Sequence, residues 1–380
     1  MLPFLLLLSA VSLDAVGVCP VTSGLPSGKW REPRVELRTL LPTTGVHDTG
    51  LLAVSIDDVG GQEAWQMTFF WPDTTGIDHL YWNWLAVGLS VGSVVDAWDM
   101  DWSTTPGGQL VILEPGPVAD EEGLAEFADN AGRARVVQHS FAWGGPPDED
   151  YIIVAYTVVN TSGYQQDSVF VSHRTDFDVM GDHGGMPTDM SSFDSARSLA
   201  YMWDTSSAWH VGVRLLDGRF CGYHTGFYTD DDWKYIIMSS PGAESTTPYP
   251  DDWCVWLSAG PYSLAPGDSF SVVFAFLAGE DLEDLQVNAD AAQAKWQQLS
   301  LSGSESAAPA YRPTTTFCRS AITFGGAHRA VLTDASGRKV MQLLSGTNDV
   351  SRLPAGVYFV REASGVGREA SSVTKLILTR

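Results

Sequence analysis

The chain has 380 residues, with 46 acidic and 22 basic side chains and a formal net charge of −24. A surface this acidic repels the phosphates of DNA and RNA, so a nucleic-acid partner is excluded. The length suffices for one large domain and a smaller second one, and 37 Gly, 20 Pro and 14 Trp are typical of a loop-rich β protein. No internal apolar run reaches membrane-spanning length, so we do not expect a membrane-spanning protein.

An apolar segment follows the first methionine. Residues 2–8 read Leu-Pro-Phe-Leu-Leu-Leu-Leu, and small residues come next. This pattern is typical of the apolar region of a signal peptide, and it is too short to cross a bilayer as a helix. We therefore expect residues 1–19 to be a signal peptide, although no Lys or Arg precedes the apolar run. The alternative is a buried N-terminal strand.

Short apolar runs separated by turns rich in Gly, Asp and Asn fill residues 24–298. The runs at 135–141 and 151–159 are the clearest predicted strands. The second of them is apolar on both faces, which is typical of a central strand. Residues 235–238 continue the strand pattern.

Helical spacing of apolar residues occurs near the end of this body. It predicts a helix over 281–299, and residues 121–130 are the candidate for a second, short one. The sequence thus predicts an all-β fold, with a large β-sandwich-like domain over 24–298 and one helix that closes it.

Residues 299–313 are rich in Ser and Ala, which indicates a linker. In residues 314–380, short β-prone runs alternate with turns that contain Gly, Asp or Pro. A segment of this size is near the lower limit for a domain that folds alone. We expect it to form a small immunoglobulin-like β-sandwich.

The tail carries its motifs in a fixed order. Residues 334–340 fit Asp-x-x-Gly-Arg-x-Val, residues 353–361 fit Leu-x-x-Gly-x-Tyr-Phe-Val-Arg, and a basic residue precedes an apolar end. This order resembles the type A-like C-terminal sorting domain of the type IX secretion system. The positions that carry the sorting motif are Gly337, Arg338, Gly356, Tyr358 and Lys375.

That resemblance implies export, with the outer-membrane secretion machinery as partner and a secreted or cell-surface location. The chain departs from the family pattern at the start of the module, where Phe317-Cys-Arg319 stands in place of an Asn-Pro. The alternative is an ordinary immunoglobulin-like accessory domain without a sorting role. Three stretches of the body, 150–160, 175–179 and 276–280, resemble exported β-rich bacterial proteins of unassigned function that carry such a tail.

An acidic loop is the best candidate metal site. Asp176 and Asp178 alternate on an extended chain and so point the same way, and Asp182 can return through the Gly-rich turn that follows. Hard carboxylate oxygens at this spacing suit Ca²⁺, although the twelve-residue EF-hand pattern is missing. The alternative is a solvated loop whose carboxylates accept hydrogen bonds from backbone amides.

Aromatic residues cluster at 81–84, 98–102 and 252–256, with aspartates beside the tryptophans in the last two clusters, and the candidate ligand-stacking set is Trp82, Trp84, Trp98 and Trp102. An indole can stack on the apolar face of a sugar while a nearby carboxylate binds the hydroxyl groups, so a glycan is the candidate partner. The alternative is packing in the core or on a sheet face.

Four cysteines are present, and their spacing is not that of a zinc site. Cys221 and Cys254 lie in successive strand-like segments and could pair in an oxidising compartment, or all four could be free thiols. Cys19 and Cys318 lie near the two ends.

The leading functional hypothesis is an exported, non-catalytic structural or binding protein, and the alternative is an extracellular hydrolase that acts on polysaccharide. Gly88-Leu-Ser-Val-Gly92 fits the G-x-S-x-G pattern of hydrolases. That motif requires a helix after its serine, whereas a strand-like run follows here. No catalytic residue is therefore assigned.

Overall fold

The computed structural model describes residues 42–62, 69–181 and 188–304, together with the tail segments 316–318, 321–324, 330–334, 338–344, 346–354, 356–362 and 373–378. The expected signal peptide lies outside the described residues. Neither described helix has the length and apolar character that a membrane span requires.

The body consists mainly of strands. In chain order they are β1 (Thr44–His47), β2 (Ala53–Asp57), β3 (Gly61–Gln62), β4 (Phe69–Phe70), β5 (Trp82–Ser90), β6 (Ser93–Asp96), β7 (Trp102–Thr104), β8 (Val111–Leu113), β9 (Glu121–Asp129), β10 (Ala134–Ala142), β11 (Tyr151–Asn160), β12 (Gln166–Asp176), β13 (Asp189–Asp194), β14 (Leu199–Asp204), β15 (His210–Asp217), β16 (Phe220–Thr225), β17 (Gly242–Ala243), β18 (Val255–Leu264) and β19 (Ser269–Gly279). The helices are α1 (Asp231–Ser239) and α2 (Leu282–Ser304), with 3₁₀ turns at Asp73–Thr75 and Val179–Gly181.

Two large sheets form a sandwich. One has nine strands in the order β13-β14-β15-β19-β11-β10-β9-β7, with β8 beside β9. The other has seven in the order β17-β16-β18-β12-β5-β3, with β6 beside β5, and a smaller sheet holds β1, β2 and β4. Apolar side chains from both large sheets share one buried core, for example Val154 and Phe274 with Val171 and Leu257. The predicted β-sandwich is confirmed, and β11 is a central strand as expected.

Each large sheet has a helix on its outer face. Leu285, Ala289 and Ala292 of α2 pack against the nine-stranded sheet, so the predicted closing helix is confirmed, and it continues to Ser304. Helix α1 places Met238 against the seven-stranded sheet.

Two element predictions were wrong. Residues 235–238 belong to α1 rather than to a strand, and residues 121–130 form strand β9 rather than a helix. In β9, Ala125 and Phe127 face the core at strand spacing, and β9 pairs with β10 along its length. Tertiary pairing therefore overrides the local pattern.

The tail also contains strands: β20 (Thr316–Cys318), β21 (Ala321–Phe324), β22 (Ala330–Asp334), β23 (Lys339–Leu343), β24 (Gly346–Asp349), β25 (Gly356–Glu362) and β26 (Val373–Leu378). They form a five-stranded and a two-stranded sheet, as a small β module requires.

The sorting-motif positions differ in their surroundings. Tyr358 is buried with Leu332 and Val360, and its hydroxyl donates to the Pro354 carbonyl. Arg338 is exposed. Gly356 and Lys375 lie in β25 and β26, and Gly337 falls outside the described residues.

Cys221 and Cys254 are buried free thiols, so of the two alternatives for this pair the structure has the unpaired one. Cys221 lies near the start of β16, and Cys254 directly precedes β18, the antiparallel neighbour of β16. Cys19 lies outside the described residues.

Candidate functional site

The outer face of the seven-stranded sheet brings together residues from distant parts of the chain. Alternation along β5 and β12 places Trp82 and Trp84 on the same face as Arg174 and Asp176. The antiparallel register sets Trp84 opposite Arg174 and Trp82 opposite Asp176. On its other side, Arg174 pairs with Trp256 of β18.

Three of the four tryptophans predicted to stack on a ligand form one cluster. The ring centroid of Trp82 lies 4.7 Å from that of Trp98 and 5.3 Å from that of Trp84, and Trp84 lies 5.5 Å from Trp98. Trp82 and Trp98 are half-buried, whereas Trp84 is buried. Two indoles therefore present part of their surface to solvent beside a third that supports them.

The prediction for Trp102 was wrong. Its ring is buried between the two large sheets, 5.2 Å from the ring of Phe127. A tight turn separates Trp98 from Trp102, and Met100 in this turn has φ +55°. After this turn the chain enters β7 of the nine-stranded sheet, so Trp102 faces the core while Trp98 stays with the outer cluster.

Arg174 is the buried centre of the site. Its guanidinium carbon lies 4.4 Å from the Trp84 ring centroid and 5.0 Å from that of Phe227. Nη2 lies 2.8 Å from Oδ2 of Asp176 and also donates to the Cys254 sulfur. Burial raises the pKa of the Cys254 thiol well above its usual value.

The acidic group beside this arginine consists of Asp176, Asp178 and Asp252, whose candidate ligand atoms lie within 4.8 Å of one another. Two of the three predicted metal ligands are thus together, while Asp182 lies outside the described residues. Burial raises the pKa of Asp176; Arg174 opposes this shift, and the negative charge of Asp252 adds to it. Carboxylates this close together can hold a metal ion.

Sequence reasoning missed Asp252 and Arg174. Asp252 joins the site because β18, which follows it, pairs with β12. The only sequence signal for it was its position in Asp252-Trp-Cys-Val-Trp256, an aromatic run next to an acidic residue. Arg174 stands within a strand pattern, where a charged side chain ordinarily indicates the solvent face.

In a second acidic group, Asp96, Asp99 and Asp101, two of the carboxylates pair with a basic side chain of the protein itself. The Lys234 ammonium lies 2.8 Å from Oδ2 of Asp96, 2.5 Å from Oδ2 of Asp99 and 3.6 Å from Oδ1 of Asp231. Burial, together with the charges of Asp96 and Asp99, raises the pKa of Asp101 to about 6. This group anchors helix α1 to the sheet.

One hydrogen-bonded set has the order of a catalytic triad. Nε2 of His47 lies 2.8 Å from Oγ of Ser140, and Nδ1 lies 3.1 Å from Oε2 of Glu121. However, Ser140 is 0% exposed, so a substrate has no access to its hydroxyl. The set joins β1 to β9 and β10, and its role in this geometry is structural.

The serine of the G-x-S-x-G pattern is also not a nucleophile. Ser90 ends β5 in a hairpin turn, is exposed, and donates to the Val91 carbonyl. Strand β6 follows it rather than the helix that the motif needs.

No family model matches the chain, and no curated protein matches it. Among solved structures, it is similar to a bacterial glucoamylase complexed with acarbose, with TM-score 0.48 and 9% identity over 68% of this chain and 35% of that one. It is similar to a GH36 α-galactosidase from Geobacillus stearothermophilus, with TM-score 0.36 and 10% identity over 64% and 42%. An aldose epimerase homologue from C. elegans aligns with TM-score 0.34 and 8% identity over 63% and 99%.

The chain spans 35% of the glucoamylase and 42% of the galactosidase. These likenesses concern the arrangement of strands alone.

Proposed function

We propose that the protein is an exported, non-catalytic binding protein whose body holds a glycan on the outer face of its seven-stranded sheet. One observation carries the proposal: the half-buried rings of Trp82 and Trp98 lie together, and Trp82 stands opposite Asp176, a member of the acidic group of Asp176, Asp178 and Asp252. Aromatic faces and carboxylates are the two kinds of group that together bind sugar rings, and here residues from four separate segments supply them.

The charge of the site favours a neutral glycan over an acidic one. Three carboxylates lie together, and Arg174 forms an ion pair with one of them, Asp176. The surrounding protein adds to this negative potential, since the chain carries a net charge of −24. A uronate or sulfated sugar is therefore repelled, whereas neutral hydroxyl groups can donate to the carboxylates.

The spacing of these carboxylates supports binding rather than hydrolysis. A glycosidase places two carboxyl groups on opposite sides of the scissile bond, about 5–9.5 Å apart. Asp176, Asp178 and Asp252 instead each bring one oxygen within 4.8 Å of the others, so they converge on one point, and Asp176 is tied to Arg174. A group this compact can bind one polar group of a ligand or one cation.

Calcium is the cation that this group fits. Ca²⁺ binds oxygen at about 2.3–2.6 Å, so two oxygens on one ion are separated by up to about 5 Å. The 4.8 Å span of the three carboxylates lies within that limit. Sugar hydroxyl groups can complete the six to eight oxygens that Ca²⁺ takes, which would join the metal and the glycan in one site.

A glycan array with immobilised neutral hexasaccharides of glucose, mannose, galactose and xylose, and with oligogalacturonate, tests the proposal. We expect neutral glycans to bind, and Trp98→Ala to weaken binding about tenfold or more, as loss of one stacking contact does. Trp233→Ala is the matched control, because Trp233 is 57% exposed on helix α1. If Trp98→Ala and Trp233→Ala bind the glycans equally well, Trp98 does not belong to the binding site. Release of reducing sugar by the wild type also contradicts the proposal, because it shows hydrolysis.

Export by the tail is the second part of the proposal, and it rests on the resemblance of residues 334–340 and 353–361 to the sorting domain. Deletion of residues 313–380 is expected to leave the protein inside the cell. Arg338→Ala is the finer variant, because Arg338 is exposed and its loss leaves the core of the module intact. Normal amounts of the truncated protein outside the cell contradict the sorting role.

A further inference from the structure

We infer that Phe227 is a movable lid over a closed subsite, and that the hydroxyl groups of one neutral sugar residue take the place of its ring. This inference rests on the proposed function and deepens it, because it names the part of the ligand that enters and the atoms that receive it. The polar floor of the subsite is formed by Trp84, Arg174 and Asp176, which lie on the outer face of adjacent strands β5 and β12.

Buried hydrogen-bonding groups of the floor have no counterpart in the protein. The Nε and Nη1 groups of Arg174, the indole N–H of Trp84 and Oδ1 of Asp176 are buried and have no hydrogen-bond partner among the described residues. Buried polar atoms of this kind are rare, and each calls for a specific explanation. Four of them around one guanidinium indicate a place that is built to bind something.

The chemistry of these groups selects the ligand. Arg174 and Trp84 offer N–H donors only, and ionised Asp176 offers an acceptor only. A sugar hydroxyl both donates and accepts, so neighbouring hydroxyl groups on one ring can satisfy both kinds of group at once. A bare anion satisfies only the donors and meets the charges of Asp178 and Asp252, and a cation finds an acceptor only at Asp176, so neither pairs with every group of the floor.

Phe227 is the residue that closes this floor. Its ring lies 5.0 Å from the guanidinium carbon of Arg174 and 5.5 Å from the ring of Trp98, yet Phe227 is 58% exposed. These contacts hold the ring on the floor from the solvent side, and its movement uncovers Arg174 directly beside the indole of Trp98.

The loop that carries Phe227 is fixed at both ends. The backbone N–H of Gly226 donates to the Cys254 carbonyl, and the Gly226 carbonyl accepts from the indole of Trp256. Gly226 has φ +129°, a conformation that favours glycine at the pivot. At the other end, Asp230 caps helix α1. Residues 227–229 between these anchors form neither helix nor strand, so the lid can turn without disturbing the sheet.

The accessibility of Arg174 tests the lid without any sugar. Phenylglyoxal modifies exposed guanidinium groups, and peptide mass spectrometry reports the rate at each arginine. We expect Phe227→Ala to accelerate modification of Arg174 at least about tenfold. The open conformation is populated less than about 10% of the time in the wild type, whereas in Phe227→Ala the site is always open. Tyr164→Ala, which truncates another exposed aromatic residue shortly before β12 begins, is expected to have no effect. An unchanged rate in Phe227→Ala overturns the lid.

Binding isotherms with the neutral hexasaccharides of the array test the subsite. We expect Phe227→Ala to bind at least about tenfold more tightly than the wild type, since the lid no longer has to be displaced. We expect Arg174→Gln to abolish the gain in affinity that Phe227→Ala gives, and a melting curve checks that the Arg174→Gln protein is folded. A bound hexasaccharide is expected to protect Arg174 from phenylglyoxal. Weaker binding by Phe227→Ala shows that Phe227 stacks on the ligand, and this result overturns the subsite.

The two proposals fail in different ways. If the wild type binds a glycan through Trp98 while Phe227→Ala and Arg174→Gln leave the affinity unchanged, only the subsite is wrong. If neither the wild type nor Phe227→Ala binds any hexasaccharide, the proposed function and the subsite are wrong together, whatever the reactivity of Arg174.

Discussion

Replacement of Lys234 by methionine tests how helix α1 is held against the sheet. Lys234 and Asp96 are both 0% exposed in their side chains, and their charged atoms lie 2.8 Å apart. Methionine keeps the apolar stem but leaves the carboxylate of Asp96 buried without its cation. Removal of one partner of a buried ion pair costs about 3–5 kcal/mol, because the other charge stays uncompensated. For a domain of this size we expect the melting temperature to fall on the order of 10 °C.

The pH dependence of the loss identifies its cause. Burial raises the pKa of Asp96 more than Lys234 lowers it, so the pKa rises further when Lys234 is absent. A folded-state pKa above the unfolded value means that protonation favours the folded protein, and the deficit of Lys234→Met should therefore shrink from about pH 8 to about pH 5. Asp96→Asn in the same chain should recover most of the loss.

Lys295→Met is the control for this comparison, because the side chains of Lys295 and Asp148 are 21% and 14% exposed, so water reaches this pair and we expect a smaller loss than for the fully buried Lys234. Denaturant unfolding followed by circular dichroism at both pH values measures all four proteins. A loss below about 1 kcal/mol at pH 8, or a loss that is equal at both pH values, refutes the role given to the buried ion pair.

Three further outcomes are expected. Asp101→Asn should raise the free energy of unfolding by about 1–2 kcal/mol at pH 7.5, because the carboxyl of the wild type is ionised there although burial raises its pKa to about 6. This gain in stability should vanish towards pH 4. A gain that persists at pH 4 contradicts this cause. Calcium at about 100 times its dissociation constant should stabilise the protein by about 2.7 kcal/mol. Asp252→Asn should abolish this effect, whereas the surface variant Glu283→Gln should not. If neither calcium nor EDTA changes the melting curve of the wild type, the protein has no such site. Native Cys221 and Cys254 should resist Ellman's reagent, because both are buried and burial raises both pKa values; rapid labelling of either peptide would show that the strands open.

The sequence predicted the architecture where local pattern and tertiary structure agree. Residues 151–159 are apolar on both faces because β11 has the core on one side and helix α2 on the other. The apolar stripe of α2 is visible in the sequence because this helix packs along one face only. Helix α1 was missed because its nine residues include Trp, Tyr and Ile, which favour strands, and its position depends on the contacts of Lys234.

The candidate site could be predicted only in its local parts. Trp82 and Trp84 share a face because side chains alternate along a strand, and Asp176 and Asp178 were linked by the same spacing. The contribution of Asp252 depends on the pairing of β12 with β18, and a pairing of strands this far apart leaves no local pattern. Trp102 was misplaced for the converse reason, since after the turn at Met100 it begins β7 of the nine-stranded sheet and faces the core.

The two acidic groups on the outer face of this sheet differ in how a basic side chain of the protein meets them. The ammonium of Lys234 is compact and lies within 3.6 Å of the carboxylates of Asp96, Asp99 and Asp231, so it neutralises two members of its group directly. The guanidinium of Arg174 is broad and flat, and it directs one edge at Asp176 and its face at aromatic rings. The negative charges of Asp178 and Asp252 are therefore not neutralised by Arg174. A terbium ion should report this difference, because bound at the Asp176 group it lies next to tryptophans that sensitise its luminescence, while Lys234 keeps it from the other group.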